Sequence, residues 1–263
     1  MSELGKRGLA PPSLPRKEGA LDVLGVGVHP VGSAGILDVI AAAVGSSRRA
    51  VVPHLNIHGS NLAGKHHWLR EFFNHSQLVF CDGDGIRWGL KILGEDPPPK
   101  VTYNVWIWEL ARWCAEHGAR LYLLGGRPGI AEAAATRLRE RWPDLEIAGY
   151  DHGYFEKESS EETLVVEAIN EANPDVLLVC LGMPVQEAWV ARNANALGAR
   201  VILTGGAALD YAAGVIRTTP WWIARLQLEW LYRLCAEPRR LSRRYVIGNP
   251  AFLLRVIRKR IRD

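Results

Sequence analysis

At 263 residues, with 48% apolar and 23% charged residues, the chain is long enough for one large α/β domain, or one domain with an appendage, around a sizeable core. No apolar run approaches the roughly 18 residues of a membrane span, and Cys81, Cys114, Cys180 and Cys235 are too scattered for a zinc site or a disulfide frame, so they read as small hydrophobes of a reducing compartment. The net charge of +4 hides an asymmetry: 217–263 holds twelve basic residues against three acidic ones, a net +9, which leaves −5 on the other 216 residues and points the tail toward a polyanion.

In chain order, Met1–Glu18 is basic and proline-bearing with no apolar h-region, which argues against a signal peptide and reads as a flexible arm over 1–20. Strand-like runs then recur at Leu21–Val28, Ala50–Asn56, Leu78–Asp82, Arg120–Leu124, Glu146–Gly149, Val176–Leu181 and Arg200–Thr204. Helical patterns lie between them at Gly35–Val44, Val105–Glu116, Ile130–Arg141, Ser160–Ala172 and Val185–Leu197. Apolar runs that look buried on both faces, alternating with helices, predict an α/β fold: a Rossmann-like, mostly parallel sheet with helices on both faces, over 21–210. After Asp210 the pattern becomes helical and rich in Trp and Arg, which predicts a C-terminal appendage over 211–263.

In open parallel sheets, ligands sit beyond the carboxyl ends of the strands, and here those ends are polar and glycine-rich. Gly125-Gly126-Arg127-Pro128-Gly129 opens a helix; it reads either as a phosphate cradle or as a tight βα turn. No GxGxxG follows a first strand and no GxxxxGK[ST] is present, which argues against a dinucleotide enzyme or a P-loop ATPase. Cys81-Asp82-Gly83-Asp84-Gly85 puts a carboxylate at a strand end, where it can accept a proton or hold a metal; Asp82 and Asp84 spell DxD, equally the composition of a turn. Gly182, Met183 and Pro184 lead into a helix whose first turn carries Gln186 and Glu187, positions suited to a ligand or to the helix dipole. Thr204-Gly205-Gly206 leads to Asp210. His54, His58, His66, His67 and His75 cluster, but none has HExxH spacing and no ligand set is completed, so no metal site is assigned.

Taken in order, these pieces resemble the WecG/TagA/CpsF glycosyltransferase family over nearly the whole chain from about Val23. The matching segments are Leu55-Asn56, Asp82-Gly83-x-Gly85, Leu123–Gly126 with Pro128-Gly129, Trp142-Pro143, and His152-Gly153-Tyr154-Phe155. Next come Pro174-Asp175, Leu181–Glu187, and Gly205-Gly206 with Asp210 and Ala213-Gly214. Leu228–Leu234 and Glu237-Pro238-Arg239-Arg240 with Arg244-Tyr245 close the series and are its most specific block.

The resemblance implies an inverting transferase that moves a sugar from a UDP-sugar to an undecaprenyl-diphosphate-linked saccharide, without a metal cofactor, on the cytoplasmic face of the plasma membrane. It implies Asp82 as general base. It implies substrate contacts from Asn56, Gly83, Lys100, Gly125, Gly126, Arg127, Gly182, Pro184, Gln186, Glu187 and Asp210. The tail residues Trp221 and Trp222, with Arg217, Arg233, Arg240, Arg243 and Arg244, are assigned to the acceptor diphosphate and an anionic membrane surface. A homo-oligomer is left open.

Three departures from the family pattern stand near the expected pocket. His54 replaces a usual Thr, Lys100-Val101-Thr102-Tyr103-Asn104-Val105 replaces Arg-Val-x-Gly-x-Asp, and Asp84 replaces an apolar residue. Lys100 keeps the charge and loses the bidentate fork. Asp84 leaves Mg or Mn as an alternative to a metal-free site. The competing functional class is a membrane- or nucleic-acid-binding Rossmann-like protein without transferase activity; for nucleic acid, the aromatic platforms of RNA modules are absent.

Overall fold

The computed structural model describes residues 18–46 and 48–263. The expected N-terminal arm therefore lies, up to residue 17, outside the described residues. Among the described residues the chain begins with β1 (Leu21–Val23) and β2 (Val26–Val28), then α1 (Ser33–Val44), β3 (Ala50–Val52) and β4 (His54–Leu55). There follow α2 (Ile57–Ala63), α3 (His67–His75), β5 (Phe80–Cys81), α4 (Asp84–Leu93), α5 (Tyr103–His117) and β6 (Leu121–Gly125). The core continues with α6 (Ile130–Arg141), β7 (Ile147–Asp151), α7 (Ser160–Ala172), β8 (Val176–Cys180), α8 (Val185–Asn193), β9 (Val201–Thr204) and α9 (Ala208–Ala212). The tail forms α10 (Trp221–Arg225), α11 (Glu229–Ala236), α12 (Pro238–Ser242), one π-helical turn (Arg243–Ile247) and α13 (Gly248–Arg262).

The main sheet is five-stranded and wholly parallel, in the order β3-β9-β8-β6-β7. Side chains alternate across it, as a two-residue period requires. Val52, Leu121, Leu123, Leu178 and Leu203 pack on one side with apolar residues of α1, α5, α6 and α9. Val51, Tyr122, Leu124, Leu177, Val179 and Ile202 pack on the other side with α3, α7, α8 and α13. Helices therefore cover both faces, as the doubly apolar strands predict.

Two expected strands resolve differently. Leu21–Val28 is an antiparallel hairpin, because Leu24 and Gly25 both take positive φ (55° and 89°) and Asp22 Oδ1 accepts the Gly25 N–H at 2.7 Å. Ala50–Asn56 breaks at Pro53, which has no N–H to extend the ladder. β3 joins the main sheet, while β4 pairs in parallel with β5. The helices α2, α3 and α4 were not marked by the sequence pattern.

From β6 the chain runs outward to the edge strand β7 and then returns to β8 on the other side of β6. The strand order reverses there, so a crevice opens between the carboxyl ends of β6 and β8. The tail is not a detached unit. Phe252 and Val256 of α13 are fully buried with Ile86 and Leu90 of α4. A Cβ on Gly89 would stand 2.7 Å from the Phe252 ring. Asn61 donates to the Gly248 carbonyl at 2.8 Å, and Lys259 pairs with Asp22 at 2.6 Å. With α13 anchored, α11, α12 and the π-helical turn are held beside the sheet's carboxyl edge. Among the described residues no helix is long and apolar enough to cross a membrane.

Candidate active site

A cleft of about 910 Å³ opens at that edge, lined by the ends of β4 to β9 and by the tail. Two backbone loops meet at its floor. Gly125 and Gly126 adopt φ of 140° and 72°, and a Cβ on Gly125 would fall 2.3 Å from the Cys180 carbonyl oxygen. Only glycine lets the β6 and β8 loops approach so closely. The contact is completed by Gly126 N–H donating to Cys180 O at 3.3 Å and Gly153 N–H donating to Gly126 O at 2.8 Å.

Asp82 follows β5 directly. Its backbone N–H donates to Leu55 O at 2.9 Å and it bridges Val101, so the residue is held from both sides while its side chain keeps 22% exposure to the cleft. Asn56 caps α2 by accepting the Gly59 N–H at 3.0 Å and turns its amide toward Asp82 Oδ2 at 3.5 Å. His54 lines the same wall, with Nε2 at 3.8 Å from that oxygen. Burial first, then Arg244, holds the His54 pKa below its ordinary value against the opposing pull of Asp82 and the Thr204 carbonyl. His58 is pushed down to about 4 by burial, Arg244 and Lys65. Both imidazoles are therefore neutral at physiological pH.

The tail lines the same cleft with Arg233, Arg240 and Arg244, the first and last within the electrostatic reach of Asp82, while Arg127 comes from the β6 loop. Arg233 Nε has no hydrogen-bond partner among the described residues, and its guanidinium lies 5.7 Å from the centre of the Tyr211 ring. Arg240 donates from Nε and Nη2, one edge of its guanidinium, to the two carboxylate oxygens of Glu237. Asp210 lines the cleft from α9, its pKa raised by burial against the opposing charge of Arg240. Two further polar atoms at the cleft wall are buried without partners among the described residues: Tyr103 Oη and Asn104 Oδ1. A carboxylate, a group of arginines and orphaned polar atoms in one cleft suit a ligand that carries both hydroxyls and phosphates.

Residues 21–263 match the model of the glycosyl transferase WecG/TagA/CpsF family. The chain belongs to this family. It is a glycosyltransferase. It is 32% identical over 194 residues to an N-acetylglucosaminyldiphosphoundecaprenol N-acetyl-beta-D-mannosaminyltransferase of Bacillus subtilis, covering 72% of this chain and 73% of the relative. A Staphylococcus aureus protein of the same name is 28% identical over 196 residues, covering 74% of this chain and 75% of the relative.

Of the residues singled out in the sequence, the transferase brings Asn56, Asp82, Gly83, Gly126, Arg127, Gly182, Asp210, Arg233, Arg240 and Arg244 together around the cleft. Others take different places. Lys100 does not line the cleft; its ammonium is held by Asp84 at 2.6 Å and Glu229 at 2.5 Å. Asp84 divides its two oxygens between Arg87 (3.0 Å) and Lys100, so the second carboxylate of the DxD is occupied by cations of the protein itself. Among the described residues no three His, Cys, Asp or Glu side chains form a metal-holding group. Gly125 and Pro184 shape the loops beneath the cleft without lining it. Arg217, Trp221, Trp222 and Arg243 are exposed away from it.

Gln186 and Glu187 are fully buried under the cleft floor. Gln186 Oε1 accepts the Gly206 N–H at 3.0 Å, tying the β8 loop to the β9 loop, and its amide donates to Glu187 Oε1 at 2.7 Å. Glu187 Oε2 has no partner among the described residues, and burial raises the carboxyl from 4.5 to about 7. Between those pH values the folded chain holds a proton that the unfolded chain has released, so this group lowers stability as pH rises through the window. Glu187→Gln should therefore be more stable than the parent by about 3 kcal/mol above pH 7, the advantage vanishing near pH 4. Urea unfolding of both proteins at pH 4.5 and pH 8 checks this; an equal difference at the two pH values refutes it.

Sequence reasoning missed Tyr103, Asn104 and Tyr154 as cleft residues. The strand at Glu146–Gly149 was read as ending two residues early. β7 runs on to Asp151, which brings His152–Tyr154 to the strand's carboxyl end, where ligands bind. Tyr154 is 67% exposed beside Gly126 and Gly153 at the cleft mouth.

Proposed function

We propose that this transferase moves a sugar from a UDP-sugar to a saccharide carried on undecaprenyl diphosphate, with inversion at the anomeric carbon. The observation that carries the reading is Asp82, a partly exposed carboxylate in a cleft that it shares with Arg233, Arg240 and Arg244. The acceptor hydroxyl loses its proton to Asp82 as its oxygen attacks C1 of the donor, and UDP leaves on the opposite side with the bonding electrons. Single displacement by that hydroxyl inverts the anomeric carbon. Arginines and N–H groups of the β6 loop stabilise the charge that gathers on the diphosphate, so this chemistry runs on protein donors alone.

The activity for which the Bacillus subtilis and Staphylococcus aureus relatives are named supports an N-acetylglucosaminyl-diphosphoundecaprenol acceptor and an N-acetylmannosaminyl group as the sugar transferred. The crevice between β6 and β8 is assigned to the donor nucleotide, and Asp210, which lines the same cleft, to its ribose hydroxyls. Tyr154 offers an exposed ring on which a uracil can stack. Tyr154→Ala is expected to weaken UDP binding roughly tenfold, within the range of about 1–3 kcal/mol for a base on an aromatic platform. Titration calorimetry with UDP checks it, and an unchanged Kd rejects the placement.

The lipid end of the acceptor is met by the tail. Trp221, Trp222 and Leu226 are 74%, 55% and 61% exposed and stand in sequence beside Arg217 and Arg225, a composition suited to peripheral attachment at the cytoplasmic leaflet. The arginines that line an inward cleft suit a diphosphate better than a duplex groove. The experiment is a transfer assay with UDP-N-acetylmannosamine, UDP-glucose and UDP-N-acetylglucosamine, a short-chain prenyl-diphosphate N-acetylglucosamine, and EDTA. A β-linked product formed in EDTA supports the proposal. Failure with every UDP donor, or an α-linked product, overturns it.

A further inference from the structure

His54 stands where its chemistry bears on the proton that leaves the acceptor. The residue is only 3% exposed, and it is fixed by the backbone on one side: Nδ1 lies 2.6 Å from the Thr204 carbonyl oxygen at the end of β9. A carbonyl oxygen only accepts, so Nδ1 carries the hydrogen. In the neutral ring the lone pair then sits on Nε2, and Nε2 faces Asp82 Oδ2 at 3.8 Å. Two acceptors thus stand 3.8 Å apart inside the cleft, and among the described residues the side-chain donor to Oδ2 is the Asn56 amide at 3.5 Å. That is an unfavourable pair of lone pairs unless a proton arrives.

The groups packed around the ring keep it in this state. Tyr103 of α5 meets it edge-on at 5.3 Å between ring centres, and Phe80 of β5 lies at 6.1 Å. Gly206 backs it closely enough that a Cβ there would stand 3.8 Å from Cε1. The charged groups that act on it are Asp82, which favours a proton, and Arg244 from the π-helical turn, which opposes one. The arginine and the burial together keep the imidazole neutral before the reaction, so its lone pair is free to accept when the reaction supplies a proton.

We propose that His54 is a positioning residue of the transfer reaction: its Nε2 accepts the hydrogen bond of the proton that Asp82 takes from the acceptor hydroxyl, so that the base of this site is a carboxylate–imidazole pair. The proposal rests on the transferase reading and extends it. In the step, the acceptor oxygen bonds to C1 of the donor while the bond from C1 to the β-phosphate oxygen breaks, and UDP takes the electron pair. The hydroxyl proton passes to Asp82 Oδ2, and a small rotation of the carboxyl closes the 3.8 Å separation so that the new O–H donates to His54 Nε2. A hydrogen bond made only by the protonated carboxyl strengthens its hold on the proton. Removing the imidazole must therefore weaken proton capture and move the acid limb of activity to lower pH.

Asparagine separates this role from a structural one, because its amide reaches the Nδ1 position and keeps the bond to Thr204 while Nε2 is lost. His54→Asn is expected to keep the melting temperature within a few degrees of the parent, to lower kcat roughly tenfold with the acceptor KM unchanged, and to shift the acid limb of kcat/KM downward by about one pH unit. A wild-type kcat and pH profile in this variant, or a loss carried wholly by KM, overturns the proposal. Nitrogen-15 spectra of the histidine rings in the unliganded wild type give a readout that needs no turnover: the Nδ1–H tautomer is expected for His54, and an Nε2–H tautomer overturns the proposal. Absence of turnover by the wild type with every donor sinks the transferase reading and this proposal with it; turnover with an unaltered His54→Asn profile sinks this proposal alone.

Discussion

Asp82→Asn is expected to lower kcat by about 10²–10⁴-fold, the range lost when a positioned general base is removed, with little change in the affinity for UDP. A sugar hydroxyl is a poor nucleophile at neutral pH, and Asp82 is a cleft carboxylate that keeps partial exposure with no ion-pair partner nearer than His54 among the described residues. Asp84, its neighbour, cannot replace it, since both of its oxygens are bound to Arg87 and Lys100. The variant should fold, because the backbone bonds from residue 82 to Leu55 and from Gly83 to Val101 do not involve the side chain. An asparagine amide also offers a donor to His54 Nε2. Single-turnover transfer rates, UDP calorimetry and a thermal melt run side by side decide the matter. A kcat within threefold of the parent removes Asp82 from the chemistry, and a parallel loss of UDP affinity makes it a binding residue instead.

The parallel sheet was legible because its strands are apolar on both faces: Leu121–Leu124, Val176–Cys180 and Val201–Leu203 leave no polar face for solvent, and only helices on both sides can cover such strands. The rim of the sheet was legible for the same reason, since polar residues and glycines can follow such strands only at an edge that meets a ligand or a turn. Tertiary electrostatics were less readable. Lys100 looks like a phosphate ligand in the linear sequence, and Asp84 like half of a metal site. In the fold they neutralise one another, and Lys100 reaches on to Glu229 at the start of α11. Beside this pair Trp88 Nε1 donates to Gln227 Oε1 at 2.7 Å. The two departures from the family pattern thus compensate each other, and together they fasten the tail to α4 next to the cleft. No spacing in the sequence reveals a pairing across residues 84, 100 and 229.

Gln186 and Glu187 show a second limit. A polar pair in the first turn of a helix at a strand end reads as a ligand contact, but both side chains are fully buried, and Gln186 accepts the Gly206 N–H and so ties the β9 loop to the start of α8. The tail's arginines were readable as a group by charge density but not one by one. Helical phase decides which line the cleft, since neighbours on a helix diverge by about 100°: Arg244 lines it while the adjacent Arg243 is exposed.

Arg233→Ala is the second large effect, an expected loss of about 10²–10³-fold in kcat, the magnitude seen when one donor to a developing anion is removed. Three features single out this arginine. It lines the cleft with Asp82, its Nε is buried without a partner among the described residues, and its guanidinium lies 5.7 Å from the centre of the Tyr211 ring. A guanidinium so placed already bears the cost of desolvation and keeps a donor in reserve, which favours charge that appears late in the reaction, on the departing diphosphate. Arg240 shares its charge with Glu237 and should matter less. Arg233→Lys should recover only part of the loss, since an ammonium lacks the planar fork that meets two phosphate oxygens at once. With a short-chain acceptor that needs no membrane, Arg239→Ala, on an exposed side chain outside the cleft, should change kcat less than threefold. Equal losses at 233 and 239 would mean that the tail acts through its overall charge, and the leaving group would then have to find its positive partner elsewhere, at Arg127 and the N–H groups of the β6 loop.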